Sequence, residues 1–241
     1  MKSKNKYIFA RNKKVRINKL RLFITLIVII AVIVGAILLV RSIFDKTGDS
    51  DKNADGTTSS VAISSGAITA EGREQGIKIM IAAKGYVYSG LTYDPSYFDT
   101  GYPPAGRGVC TDVIWHGLEG IDVVLKDLVD SDVASNFDAY SNVIEVADPS
   151  IDFRNVPVLE TYLQRHAQSL STDVRNILAW QPGDIVVFES SHIAIVSSIR
   201  NIFGEPYIIQ HGHDPAAEED RINAVDGMEI SGHFRWPVEA S

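Results

Sequence analysis

Cysteine is nearly absent from this sequence: the 241 residues contain one, Cys110. A single cysteine cannot form an intrachain disulfide, so packing must stabilise the fold. No internal repeat is present either. A lone cysteine is either a small buried apolar residue or a reactive thiol, and its place in the sequence has to decide between these two interpretations.

Acidic residues are absent from residues 1–21, which hold nine Lys and Arg. Basic residues are scarce in the rest of the chain, because the 23 basic residues less these nine leave 14 against 30 acidic ones, a net charge of −16. Nucleic acids are bound by basic surfaces. The charge distribution therefore excludes nucleic acid as the expected partner.

Charge is also absent from residues 22–40, a run of 19 mostly aliphatic residues. As a helix the run would be about 28 Å long, close to the ~30 Å thickness of a bilayer core. No small-residue cleavage site follows it, which argues against a removable signal peptide. We expect a membrane-spanning signal anchor, with the basic residues 1–21 in the cytoplasm and the C-terminal part of the chain outside the cell membrane.

After the anchor, residues 41–70 are rich in Ser, Thr, Gly, Asp and Lys. Such a segment cannot bury enough apolar surface to fold, so we expect a flexible tether that reaches about 30 Å. Residues 71–241 form the predicted external domain. The predicted helices are 71–84, 110–120, 122–128, 157–170 and 172–180, and the predicted strands are 185–189, 192–199, 206–211 and 229–236. Helices followed by short, antiparallel strands indicate an α+β fold.

Cys110 lies where a Gly- and Pro-rich loop becomes a helix. The free N–H groups and the dipole at a helix start favour an anion, so we expect a lowered thiol pKa and a reactive thiolate. The preceding loop is rich in tyrosine, including Tyr93 and Tyr97, which either line a groove or pack as core.

A nucleophilic cysteine needs a base and a group that orients the base. His192 begins one predicted strand and His211 ends the next, which makes them candidates. By contrast, His116 points away from the thiol on its helix, and we expect His166 to be a core residue on the apolar seam of the 157–170 helix.

Six sequence blocks carry a resemblance to a known family. They are 93–97 (YDPSY), 108–113 (GVCTDV), 151–157 (IDFRNVP), 182–186 (PGDIV), 192–196 (HIAIV) and 232–236 (GHFRW). In this order they resemble the uncharacterised bacterial family called domain of unknown function 1287. More distantly, Cys110 with the two histidines resembles the NlpC-type papain-like cysteine peptidases that cut bacterial cell-wall peptides.

The resemblance implies a papain-like fold, with N-terminal helices packed on a small antiparallel sheet. It implies Cys110 as nucleophile, His192 as base and His211 as the residue that orients the base, with His213 as a fallback for this third role. It gives supporting or substrate-binding weight to Tyr93, Tyr97, Asp112, Asp152 and Arg154. The implied activity is hydrolysis of amide bonds in peptidoglycan stem peptides, with the backbone N–H of Cys110 helping to hold the oxyanion.

Two other functions stay open from the sequence. The domain could be a non-catalytic module that binds cell-wall peptides or a partner protein, or an acyltransferase that uses lipids or thioesters. A zinc site from Cys110, His211, His213 and Asp214 matches no common ligand spacing, so we expect no metal and no organic cofactor. The sequence does not indicate an oligomeric state.

Overall fold

The computed structural model describes residues 68–223 and 225–238. The predicted cytoplasmic segment, the membrane anchor and nearly all of the tether lie outside these residues. Within them, no helix combines the length and apolar character needed to cross a membrane. The helices are α1 (Ala70–Val87), α2 (Cys110–Glu119), α3 (Leu125–Ser135) and α4 (Val156–His166), with single 3-10 turns at Phe137–Ala139 and Asp152–Arg154. The strands are β1 (Thr92–Tyr93), β2 (Arg107–Gly108), β3 (Gln168–Ser169), β4 (Ile185–Phe188), β5 (His192–Arg200), β6 (Pro206–Gln210), β7 (Ala217–Glu219) and β8 (Ile230–Arg235).

Six of the strands form one antiparallel sheet in the order β3-β8-β4-β5-β6-β7. Strands β4 and β5 pair with Ile185 opposite Ile195, and β5 pairs with β6 through Ile195 and Ile209. The helices precede the sheet strands, so the described residues confirm the α+β class. The short strands β1 and β2 form a separate parallel pair next to the cysteine.

The central strands are buried on both faces, and their side chains alternate between two cores. One core joins the helices to the face that carries Ile185, Val187, Ile193, Ile195 and Ile209. The second core covers the other face and contains Trp180, Val186, Phe188, Ala194, Val196, Ile208, Ile222 and Val225. Because both faces are covered, these strands read as continuous apolar runs rather than as an alternating pattern.

The cysteine helix α2 lies very close to β5 and α1. A Cβ atom on Gly117 would come within 2.5 Å of Cδ1 of Ile195 and within 3.3 Å of Cγ2 of Ile79. Only glycine permits this approach. The position of Cys110 relative to the sheet is therefore fixed by packing along the whole of α2.

The structure corrects several predicted boundaries. Helix α1 continues through Gly85, since its apolar packing outweighs the ~1 kcal/mol cost of an internal glycine. It begins at Ala70, with Thr69 as N-cap, so the ordered domain starts before residue 71. Helix α3, which follows the cysteine helix, begins at Leu125 rather than at residue 122. Residues 172–180 form turns, not the predicted helix, and Trp180 packs in the second core.

The predicted helix 157–170 ends at His166, because the next residues pair with β8 as β3. His166 is exposed and forms an ion pair with Asp132 at 3.1 Å, so its predicted core position is wrong. The four predicted sheet strands are present within one or two residues, and β6 ends at Gln210 rather than at His211.

Candidate active site

Cys110 is the first residue of α2, directly after β2 and the extended residue Val109. The side chain of Asp112 turns back along the helix start, and its Oδ2 accepts a hydrogen bond from the backbone N–H of Val109 at 2.7 Å. One of the unpaired donors of the helix start is thereby satisfied. The N–H of Cys110 belongs to the same first turn, whose N–H groups have no partner within the helix.

Asp112 and Arg154 form a fully buried ion pair that locks the helix start in place. Nε and Nη2 of Arg154 donate to the two carboxylate oxygens of Asp112 at 2.8 and 2.9 Å. The indole N–H of Trp115 donates to Oδ1 of Asp112 at 2.8 Å. Arg154 also contacts the tyrosine-rich loop through the carbonyl of Ser96, at 3.4 Å. These contacts place Asp112 and Arg154 beneath the cysteine as supports.

Burial raises the pKa of Cys110 to about 11. Hydrogen bonding to the backbone N–H groups of Ile193 and Thr111 acts in the opposite direction, while the charge of Asp112 raises the pKa further. The lowered thiol pKa expected from the helix start is therefore wrong, because loss of water around the half-buried sulfur outweighs the helix end. At neutral pH the resting sulfur is a thiol.

The side chain of His192 is buried, and its partner is Gln210. Nε2 of His192 lies 2.6 Å from Oε1 of Gln210, and Nε2 of Gln210 donates to Oε2 of Glu219 at 3.4 Å. The carboxylate of Glu219 can only accept hydrogen bonds, so the Gln210 amide must turn its N–H group towards Glu219 and its oxygen towards His192. Because the amide oxygen of Gln210 can also only accept, Nε2 of His192 carries the hydrogen and Nδ1 presents a lone pair.

His211 was predicted to orient His192, but the hydrogen-bond partner of the His192 ring is Gln210. Burial lowers the pKa of His192, although the bond to Gln210 raises it. The imidazole is thus neutral at pH 7, with Nδ1 as the atom available to accept a proton.

Cys110 and His192 both lie at the start of strand β5. Strand β5 starts at His192, and the next residue, Ile193, offers its backbone N–H to the sulfur of Cys110. Strand β6 ends at Gln210, so this end of the β5–β6 pair is open. Alternation puts the side chains of His192 and Gln210 on the face away from α2. The thiol and the imidazole are therefore linked through one residue of backbone, because the N–H of Ile193, directly after His192, contacts the sulfur.

His211 belongs to a second group on the other side of the same strand end. Its Nε2 lies 3.3 Å from Oδ1 of Asp214, which also accepts the backbone N–H of Tyr93 at 2.7 Å. The rings of Tyr93 and His211 meet edge to face at 5.5 Å. Nδ1 of His211 is buried and has no hydrogen-bond partner. Burial raises the pKa of Tyr93, and the charge of the nearby Cys110 raises it further.

Two predicted supporting residues lie in a separate network. Oδ2 of Asp152 accepts the backbone N–H of Asp148 at 2.8 Å, and the hydroxyl of Tyr97 donates to Asp148 at 3.1 Å. Burial raises the pKa of Asp152. Asp152 therefore shapes the loop that holds Tyr97. The fallback residue His213 is exposed and contacts the carbonyl of Asp214 rather than His192.

The sequence reasoning missed Gln210 and Asp214. The signal for Gln210 was strand parity: on the site side of the bulge, opposite residues such as Ile195 and Ile209 have numbers that sum to 404, which places His192 and Gln210 on one face. That sum depends on the bulge between Val196 and Arg200, which shifts the register and cannot be read from local sequence. Among the described residues, no group of three or more His, Cys, Asp or Glu side chains is arranged to hold a metal ion.

Comparisons with known proteins are consistent over most of the described chain. A family model described as "Domain of unknown function (DUF1287)" matches residues 80–236. The chain is 35% identical over 173 residues to "Uncharacterized protein YijF" of Escherichia coli (strain K12), which covers 68% of this chain and 82% of that protein. No solved structure gives a significant match.

Proposed function

The chain belongs to the DUF1287 family, and from that premise we propose that it is an extracytoplasmic cysteine hydrolase with an NlpC-type, papain-like fold. The assignment of roles is Cys110 as nucleophile, His192 as general base and Gln210 as the residue that orients the base. The substrate class is an amide bond in a peptide of the cell wall.

The observation that carries the proposal is the hydrogen bond between Nε2 of His192 and Oε1 of Gln210. An amide held by Glu219 on its other side fixes both the tautomer and the rotamer of the imidazole. A histidine with a purely structural role does not require that one particular ring nitrogen keep a free lone pair. A general base needs that arrangement, and the sulfur of Cys110, the only cysteine in the sequence, is contacted by the backbone N–H of Ile193, the residue after His192.

The proton moves between two neutral groups in this mechanism. As the sulfur of Cys110 attacks the amide carbonyl carbon, its proton passes to Nδ1 of His192, a C–S bond forms, and the carbonyl oxygen takes the negative charge. In this assignment the backbone N–H of Cys110 is a donor to that oxygen. When the C–N bond breaks, the imidazolium gives the proton to the leaving amine. Water then attacks the thioester, again with Nδ1 accepting a proton, and releases the acid and the thiol.

Two features support a wall peptide as substrate. The predicted anchor and tether would hold the domain outside the membrane, within about 30 Å of its surface. The resemblance to NlpC-type peptidases supports the same bond type. Tyr93, fixed at its backbone by Asp214 and at its ring by His211, is the side chain placed to contact a substrate next to the sulfur.

The test is a digest of purified peptidoglycan by the full chain, with products identified by mass. Cys110→Ala and His192→Ala should each abolish product formation, and the double variant should lose little more than either single one. Gln210→Ala should retain part of the activity, because an unheld imidazole still visits the productive orientation. Gln210→Glu keeps an acceptor oxygen and adds a charge, so it should recover activity and move the acid limb of the pH–rate profile upwards.

His116→Ala is the matched control, since His116 stacks between Tyr86 and Trp115 and lies on another side of the helix. Thermal unfolding of each variant separates loss of chemistry from loss of fold. If His211→Ala abolishes turnover while His192→Ala does not, the base is His211, held by Asp214. Full activity in both histidine variants would refute catalysis by this site.

A non-catalytic binding module is the second candidate, favoured by the raised pKa of Cys110. A thiol that is neutral at rest is not by itself reactive. The mass-resolved digest separates the two functions: a binding module would retain wall fragments on the protein without changing their masses, and Cys110→Ala would leave that retention intact.

A further inference from the structure

Ile202 and Phe203 are exposed at the tip of the β5–β6 hairpin, and the exposed residues Ile177 and Leu178 belong to the neighbouring 172–180 turns; we call these four side chains the apolar tip. Ile202 is 93% exposed, Leu178 82% and Phe203 75%. Ile177 joins the group because its Cδ1 lies 3.2 Å from where a Cβ atom of Gly204 would be. Most large apolar residues of the domain are buried, so a cluster this exposed indicates an interaction surface.

The turn presents these side chains in a fixed geometry. Oδ1 of Asn201 accepts the backbone N–H groups of Phe203 and Glu205 at 2.9 and 3.0 Å, and the N–H of Gly204 donates to the carbonyl of Asn201 at 3.0 Å. Turn tips usually carry Gly, Asn, Asp or Ser. The backbone hydrogen bonds here do not require Ile202 and Phe203, so their apolar character is not explained by the turn.

The chain enters the domain at the same end of the sheet. Gly76 near the start of α1 touches the Pro182–Gly183 turn, and Nε2 of Gln75 donates to the carbonyl of Pro237 at 3.0 Å. That turn precedes β4, and Gly183 donates to the carbonyl of Val196 towards the hairpin end of β5. The apolar tip and the entry of the chain thus share one end, and His192 lies at the other end of β5.

We propose that the apolar tip inserts into the headgroup region of the membrane that carries the predicted 22–40 anchor. The inference uses the predicted anchor and is independent of the hydrolase activity. A tether of about 30 residues keeps the domain at millimolar effective concentration near the bilayer, so a millimolar affinity is enough to populate the docked state. Insertion by this end would hold the catalytic end about 27 Å, the length of β5, away from the lipid.

Charge argues for lipid insertion through apolar side chains rather than through electrostatic attraction. The chain beyond residue 21 carries a net charge of −16, which an anionic membrane surface repels. Added salt screens this repulsion. Docking should therefore strengthen at higher salt, whereas docking by a basic patch would weaken.

The experiment uses the full chain in vesicles of phosphatidylethanolamine and phosphatidylglycerol that contain doxyl-labelled lipid. An environment-sensitive fluorophore is attached to Phe203→Cys in a Cys110→Ser background, which removes the native thiol. Val146→Cys is the matched control, because Val146 is an apolar residue with 77% exposure outside the apolar tip. Circular dichroism verifies that both variants are folded.

We expect a blue-shifted emission and at least tenfold stronger quenching by the labelled lipid at position 203 than at position 146, with both effects larger at higher salt. Equal, water-like emission at the two positions would overturn the proposal. So would a blue shift at position 203 that follows the protein-to-lipid ratio and shows no lipid quenching, since the apolar tip would then contact a second copy of the chain.

Discussion

The protonation state of Cys110 yields the most direct test of the proposed site. The pKa of the thiol is about 11, and burial holds the pKa of His192 below its ordinary value of 6.5. Moving the proton from sulfur to imidazole therefore spans at least about 4.5 pKa units, or roughly 6 kcal/mol before the two charges interact. Even if the two charges were in contact, at about 4 Å, their attraction would recover only about 4 kcal/mol. The resting site is then a neutral pair, with the ion pair as a minor state.

Alkylation of Cys110 by iodoacetamide measures this state. Only the thiolate reacts, and at pH 7 about one thiol in 10⁴ is ionised when the pKa is 11. The rate constant should rise about tenfold per pH unit from pH 7 to pH 10, with no plateau. Because Cys110 is the only cysteine, a Cys110→Ser chain gives the background rate. Near-ultraviolet circular dichroism over the same pH range verifies that the domain stays folded.

A plateau that begins below pH 7 would refute this reasoning. It would mean that a thiolate–imidazolium pair already exists at rest, as the position at a helix start alone suggests. His192→Ala distinguishes the causes. If the neutral-pair account holds, this variant keeps the alkylation profile of the native chain while losing hydrolysis, because His192 acts only when substrate is present.

Two further predictions concern stability. Arg154→Met leaves Asp112 buried without its partner and should lower the free energy of unfolding by about 3–5 kcal/mol in urea titrations. Arg175→Met should change the free energy of unfolding little, because the side chain of Arg175 is 86% exposed in its ion pair with Asp173. Equal losses in the two variants would contradict the assigned support role. Hydrogen bonds from Arg165 hold the pKa of Asp132 well below its usual range, so its stabilisation is present above about pH 4 and is lost as the pH falls. The stability difference between the native chain and Asp132→Asn should shrink from pH 7 to pH 2, and a constant difference would exclude this linkage.

Local signals in the sequence predicted what is local in the structure. The helix start at Cys110 follows from a Gly- and Pro-rich loop and the spacing of apolar residues, and α2 begins at that residue. The four main strands follow from runs of β-branched residues between turn signals, and their antiparallel pairing is confirmed. The failed helix at 172–180 had helical spacing, but Trp180 packs in the second core and its N–H donates to the carbonyl of Asp173 at 3.1 Å. Tertiary packing outweighed propensity there.

The candidate site could be predicted only as far as its parts are local. Cys110 and His192 stand at element boundaries, which turn and strand signals mark. The choice between Gln210 and His211 depends on one step of strand parity, and a one-residue difference in register exchanges which of the two side chains shares a face with His192. A bulge in β5 between Val196 and Arg200 sets that register, and the sequence gives no rule that predicts the bulge. The pKa of Cys110 has the same origin: the helix end is visible in the sequence, whereas the burial that outweighs it arises only when the chain folds. For a site at the open end of two strands, the sequence therefore predicts the nucleophile and the base. The orienting residue and the pKa of the thiol depend on the folded structure.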